Sequence, residues 1–84
     1  MTLEDYLEIY KDMLSDVLGY RKIGYKLNNN KIIEASDHAI ALYEVAIKSK
    51  TIEIAEMYYN EIRCQLFVCE ETADEIGYVE DDDE

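Results

Sequence analysis

Eight carboxylates stand at helical spacings in this chain: Glu4, Glu8, Asp12 and Asp16 near its start, and Glu70, Glu71, Asp74 and Glu75 towards its end. On a helix such spacing stacks like charges on neighbouring turns, at a cost of roughly 0.2–0.5 kcal/mol per pair, so selection for stability alone would avoid it. What these columns offer chemically is recognition of a cation-rich surface. Catalysis needs a different set: a nucleophile beside its base, paired carboxylates in a cleft, or a metal. His38 is the only histidine, and Ser36, two residues away, falls on a different face of any helix that holds both. Cys64 and Cys69, five residues apart, diverge by about 140° on a helix and cannot bridge within it. With one histidine they do not make a zinc ligand set. Both are read as reduced thiols, Cys69 as a small core residue and Cys64 as a more exposed one. The acidic run Glu80 to Glu84 lacks the spaced ligands and turn glycine of a calcium loop. The chain is read as non-catalytic, with no cofactor and no metal site.

The charge is distributed unevenly. Residues 1–20 hold five acids and one base, residues 21–31 four bases and no acid, residues 32–50 three acids and two bases, and residues 51–84 twelve acids and one base, for a net formal charge of −12. Arg21, Lys22, Lys26 and Lys31 form the only basic island. Along a first helix, Glu4, Glu8, Asp12 and Asp16 repeat at a pitch of about 6 Å. At the end of a last helix, Glu70, Glu71, Asp74 and Glu75 oppose the macrodipole, at about 0.3–1 kcal/mol each. Direct nucleic-acid binding is disfavoured, because its driving force is counterion release by Lys and Arg. The partner expected is a basic protein, one built to hold DNA or RNA.

Helices are the elements available to position these groups. The chain has no proline and three glycines, and apolar residues advance by alternating steps of four and three. The first helix starts at a capping box, Thr2 with Asp5, and runs through Leu3, Leu7, Tyr10, Leu14 and Val17. Gly19 is a suitable residue just past a helix end, so a stop between Leu18 and Tyr20 is preferred over continuation through Tyr20, Ile23 and Leu27 to the Asn28-Asn29-Asn30 turn. The second helix, capped by Asn30, carries two seams, Ile33, Ser36, Ile40, Tyr43 and Ile47 beside Ile32, Ala35, Ala39, Leu42 and Ala46, wide enough to pack against two neighbours. The third follows Ala55, Tyr59, Ile62, Leu66, Cys69, Ala73 and Ile76 and ends at Gly77. This predicts an all-α, antiparallel three-helix bundle with helices near 2–19, 31–49 and 51–76, a single helical domain over 1–79, and a disordered acidic tail over 80–84. A first helix that stops at Gly19 leaves the stripe from Leu66 to Ile76 uncovered and favours a homodimer; one that reaches Leu27 matches the third helix and suits a monomer.

Eight tyrosines against one phenylalanine and no tryptophan give a skewed aromatic set. Tyr10, Tyr43 and Tyr59 fall on seams, whereas Tyr6 and Tyr78 are taken as surface anchors, since tyrosine buries much area at contact surfaces. The stretch Ala39 to Ile62, Ala-Ile-Ala-Leu-Tyr-Glu-Val-Ala-Ile followed by Ile-Ala-Glu-Met-Tyr-Tyr-Asn-Glu-Ile, resembles the join between successive tetratricopeptide repeats, without a second copy. By size, charge and helical character the chain is similar to the small acidic inhibitors that phages direct against restriction and CRISPR enzymes. That likeness implies a DNA-mimicking inhibitor of a nucleic-acid-binding enzyme.

The expectation is therefore an acidic inhibitor or regulator that docks on a basic partner through Glu4, Glu8, Asp12, Asp16, Glu70, Glu71, Asp74, Glu75, Tyr6 and Tyr78. The alternative is a homodimeric adaptor whose acids only confer solubility. The opening Met-Thr-Leu-Glu-Asp lacks the basic start and apolar run of a signal peptide, and no stretch approaches the roughly 18 apolar residues of a membrane span. Action in the cytoplasm, or a host's cytoplasm if a phage encodes the chain, is expected, with no direct contact to nucleic acid or membrane.

Overall fold

The computed structural model describes residues 1–77, which form three α-helices: α1 (Leu3–Leu27), α2 (Asn30–Ala46) and α3 (Ile52–Glu75). They pack up-down-up as the hydrophobic pattern predicts, with α2 against both neighbours and the parallel pair α1 and α3 touching each other least. The acidic tail and Tyr78 lie outside the described residues.

Each helix begins on a side-chain cap that satisfies amide groups left without intrahelical partners. Thr2 Oγ1 accepts from the Asp5 amide at 3.2 Å and Asp5 Oδ2 from the Thr2 amide at 2.9 Å, completing the capping box. These bonds from Thr2 hold the Asp5 carboxyl below its usual range. Asn29, one residue before the expected cap Asn30, accepts from the Ile32 amide at 3.1 Å, and Thr51 Oγ1 accepts from the Ile54 amide at 3.2 Å. Gly77, with φ +72°, follows the end of α3.

The end of α1 differs from expectation. The helix passes through Gly19 and closes at Asn28, whose φ of 55° is left-handed. The Asn28 amide donates to the Tyr25 carbonyl at 3.2 Å and the Asn29 amide to the Gly24 carbonyl at 2.8 Å, the paired bonds of a Schellman closure with asparagine in the position glycine usually takes. Continuation past Gly19 costs about 1 kcal/mol in propensity, but it sets Tyr20 and Ile23 against the buried cluster of Ile32, Ala35 and Cys69. Burying even one large apolar side chain contributes about 1.5–3 kcal/mol, which outweighs the glycine. The basic island is accordingly the last turns of α1 and the first of α2.

With 25 and 24 residues, α1 and α3 are each about 36–38 Å long at 1.5 Å per residue. The short first helix that argued for a homodimer is absent, and matched lengths were the condition that suited a monomer. The larger core cluster joins Tyr6, Tyr10, Met13 and Val17 of α1 to Ala39 and Ala46 of α2 and Ala55 and Ile62 of α3. Of the two α2 seams, the one with more alanine is the deeper, because its small side chains let both neighbouring backbones approach. Tyr10 is fully buried and its hydroxyl donates to the Ala55 carbonyl. Buried Ser36 and Thr72 donate to their own helices, to Ile33 O at 2.9 Å and Val68 O at 2.7 Å. Cys69 is buried and Cys64 exposed, both as free thiols.

The two α1 glycines should respond in opposite directions to alanine. A Cβ at Gly19 meets nothing within 4 Å, whereas one at Gly24 would stand 2.9 Å from Ile33 Cγ1 and 3.1 Å from the Ile33 backbone nitrogen. Urea denaturation should show Gly19→Ala more stable by about 0.5–1 kcal/mol and Gly24→Ala less stable by about 1–3 kcal/mol. Destabilisation by Gly19→Ala would mean that the helix ends there after all. Burial pushes the Cys69 thiol up from 9.0 to about 11. Folded protein therefore holds that proton where unfolded chain releases it, so the contribution is complete below pH 9.0 and is lost as pH rises towards about 11. Unfolding free energies from urea denaturation should fall across that window by at most roughly 1.4 kcal/mol per pH unit from this group, and Cys69→Ala should flatten the early part of the decline.

Candidate anionic docking surface

All four acids of the α1 column, Glu4, Glu8, Asp12 and Asp16, are exposed, as are Glu70, Glu71, Asp74 and Glu75 on α3. Few bases neutralise them. Among the described residues two ion pairs form, Lys11 to Glu8 at 3.6 Å and Arg21 to Asp37 at 2.8 Å, so seven of the eight acids have no basic side chain in contact. Both pairs are well exposed, which limits each to about 0–1 kcal/mol. The α3 acids crowd a helix end whose last turn contains no base, and their repulsion from the macrodipole stands uncompensated.

The column is not a straight file. Residues four apart advance by 40° beyond a full turn, so Asp16 lies about 120° around α1 from Glu4. The bundle turns this drift into two surroundings. Glu4 and Glu8 border a shallow depression between α1 and α2, about 450 Å³, with Leu7, Lys11, Tyr43 and Ile47. Asp16 faces the other side, where α1 and α3 enclose a groove of about 870 Å³ with Glu70 and Asp74 on its opposite wall. Glu71, Glu75 and Asp12 are exposed but line neither.

Small residues line the larger groove, Ser15 and Gly19 on α1 and Ala73 on α3, and α1 and α3 are the pair in least contact. Tyr20, Ile23 and Leu66, all half-buried, and Phe67, 57% exposed, supply its apolar surface. Arg63 is its one base, and it is engaged with Tyr59, its guanidinium 6.0 Å from the ring centroid and Nη1 3.5 Å from the hydroxyl. Three carboxylates, Asp16, Glu70 and Asp74, against this one base leave the rim net negative. Tyr20 senses that field: burial first, and then the charge of Glu70 with smaller contributions from Cys69, Asp16 and Asp74, holds its phenol above the ordinary tyrosine range.

Tyr6 is not a surface anchor. It is 6% exposed, its ring packs edge-on against Tyr59 with centroids 6.0 Å apart, and its hydroxyl stands 3.5 Å from Glu56 Oε2. The reason is the width of the buried face: α1 meets α3 through Tyr6, against Tyr59 and Glu56, as well as through Tyr10, whose hydroxyl reaches the Ala55 carbonyl. Tyr20 and Phe67, not Tyr6, are the aromatics on the acidic groove. Phe67 was findable in the sequence as the one phenylalanine and a residue off the third seam, whereas Tyr20 required knowing that α1 continues.

His38 is exposed and Ser36 has its hydroxyl committed to the Ile33 carbonyl. Among the described residues, no group of three or more His, Cys, Asp or Glu could hold a metal ion, and no helix is long and apolar enough to cross a membrane. Comparison of the chain with protein-family models, with curated proteins and with solved structures returns no match.

The convergence on Tyr20 is directly measurable. Carboxylates disfavour the phenolate, so neutralising Asp16, Glu70 and Asp74 together as Asn, Gln and Asn should lower the pH at which the Tyr20 ring resonances titrate. The midpoint should stay above the usual tyrosine value because burial persists. An unchanged midpoint would show that the three carboxylates do not share one field at this ring.

Proposed function

We propose that this protein is a non-catalytic inhibitor or regulator that binds a basic, nucleic-acid-binding protein through its acidic surface. The observation that carries this reading is the exposure of eight patterned carboxylates with one basic contact among them, Lys11 on Glu8. A solubilising surface works with either sign interspersed. Here like charges are held on adjacent turns and at an unfavourable helix terminus, and that arrangement costs stability. A partner lined with Lys and Arg would relieve the repulsion on binding, and the long-range field would speed encounter. In the DNA-mimic form of this reading, the carboxylates occupy sites where the partner otherwise holds phosphates.

Two acidic areas, one at the α1 and α2 depression and one at the α1 and α3 groove, suit a partner surface that wraps the bundle better than a straight groove that follows one helix. The test is capture of partner from a lysate on immobilised protein at low and at physiological salt, with double-stranded DNA as competitor. The retained protein should itself bind nucleic acid, be released by DNA, and lose affinity roughly tenfold or more as salt screens the contact. The Asp12→Lys, Asp16→Lys double variant should abolish retention. Retention indifferent to both DNA and the double reversal would refute the proposal and leave the acids as solvent-facing charge.

A further inference from the structure

The α1 and α3 groove has the shape and chemistry of a seat for one more helix. Its walls are two parallel helices of nearly equal length, and its floor is apolar through Tyr20, Ile23 and Leu66. Phe67, with 57% of its surface in solvent, stands at its edge. Asp16 on one wall and Glu70 and Asp74 on the other put negative charge on both sides. Helices pack into such troughs at interaxial distances of about 8–10 Å, and a fourth helix opposite α2 would complete a four-helix bundle.

Resting on the reading above, we propose that this groove receives an amphipathic helix of the partner, whose apolar seam covers Phe67, Leu66 and Ile23 and whose flanking Lys and Arg side chains meet Asp16, Glu70 and Asp74. Charge complementarity selects this occupant. A second copy of the chain would bring a further net charge of −12, and the chain's own Glu80 to Glu84 carries the sign of the rim. The mode is that of a helix laid in a hydrophobic groove, with anchors at i, i+3, i+4 and i+7 and flanking charges that fix orientation as in coiled coils. Apolar burial at the floor would then hold the complex that the wider acidic surface attracts.

The probe is a synthetic acetylated peptide of about 18 residues, roughly 27 Å as a helix, with leucine along one seam and lysine elsewhere. The control has the same composition scrambled so that leucines are spread around the helix. Amide shifts of the full-length protein should centre on Gly19, Tyr20, Ile23, Leu66 and Phe67, and the seamed peptide should bind about tenfold more tightly than the scrambled one. Phe67→Ala, at an exposed position that leaves the helical circular dichroism intact, should erase that preference, and Asp16→Asn with Asp74→Asn should weaken the seamed peptide at low salt.

Equal affinity of the two peptides would overturn the proposal. So would shifts centred on Glu4, Glu8, Tyr43 and Ile47, although salt-dependent binding there would leave the acidic-surface function standing. Binding of neither peptide at low salt would remove both. A concentration-dependent species of twice 9.8 kDa that Phe67→Ala dissolves would assign the groove to a second copy and also overturn the proposal.

Discussion

Between α1 and α2 there is no room for a methyl group at residue 24: an added Cβ would lie 2.9 Å from Ile33 Cγ1 and 3.1 Å from Ile32 Cγ2. That close approach fixes much of the molecule. It places the start of α2 directly on the end of α1, where Asn28 closes the helix and Asn29 caps the next one. Because α1 reaches this point, Tyr20 and Ile23 are carried beyond Gly19 to the cluster of Ile32, Ala35 and Cys69. Their inner sides fill the core and their outer sides form the apolar part of the groove. A first helix ending at Gly19 would supply neither, and the upper half of α3 would lack its neighbour.

Electrostatics pulls the other way. The bundle, 39 × 26 × 17 Å, is thin, so most carboxylates are forced to the surface and within about a Debye length of one another. Solvent screens them, but the internal pairings that could discharge the field are few. Arg21 is committed to Asp37 and lies over the Tyr25 ring at 5.1 Å, and Arg63 is turned to Tyr59. Arg21 thus serves a contact away from the groove, and Arg63 is the one base that lines it. The fold is held by apolar packing and capped helix ends, and its surface charge is carried at a cost that packing offsets.

The groove follows from these two facts together. Small residues, Gly19 and Ala73 among them, line it while Asp16, Glu70 and Asp74 keep its edges charged. Water can solvate the carboxylates without reaching into the core, where Ile62 and Cys69 are almost fully buried. An exposed phenylalanine beside acidic groups is a mixed patch in which charge sets encounter and apolar area sets residence. Its constituents come from residues half the chain apart.

The sequence alone determined three helices, because their caps and their four-and-three apolar rhythm are local properties. Thr2 with Asp5, Gly77 and most of the α3 seam from Ala55 to Ile76 could be read without knowing what they touch, although Ile76, its last member, is 48% exposed. The exposure of the eight acids was legible for the same reason: each lies off the seam of its own helix. What only the tertiary structure decided was where α1 ends, since a glycine in helical register is a stop or a passage according to whether the residues after it find a surface to bury against. That outcome in turn decided the environment of Tyr20, and the burial of Tyr6 against Tyr59 depended on how wide a face α3 covers. The meeting of Asp16 with Glu70 and Asp74 depended on the angle at which α1 and α3 lie. Periodicity fixes the angle of a residue around its own helix axis, but it carries no information about which neighbouring helix stands at that angle.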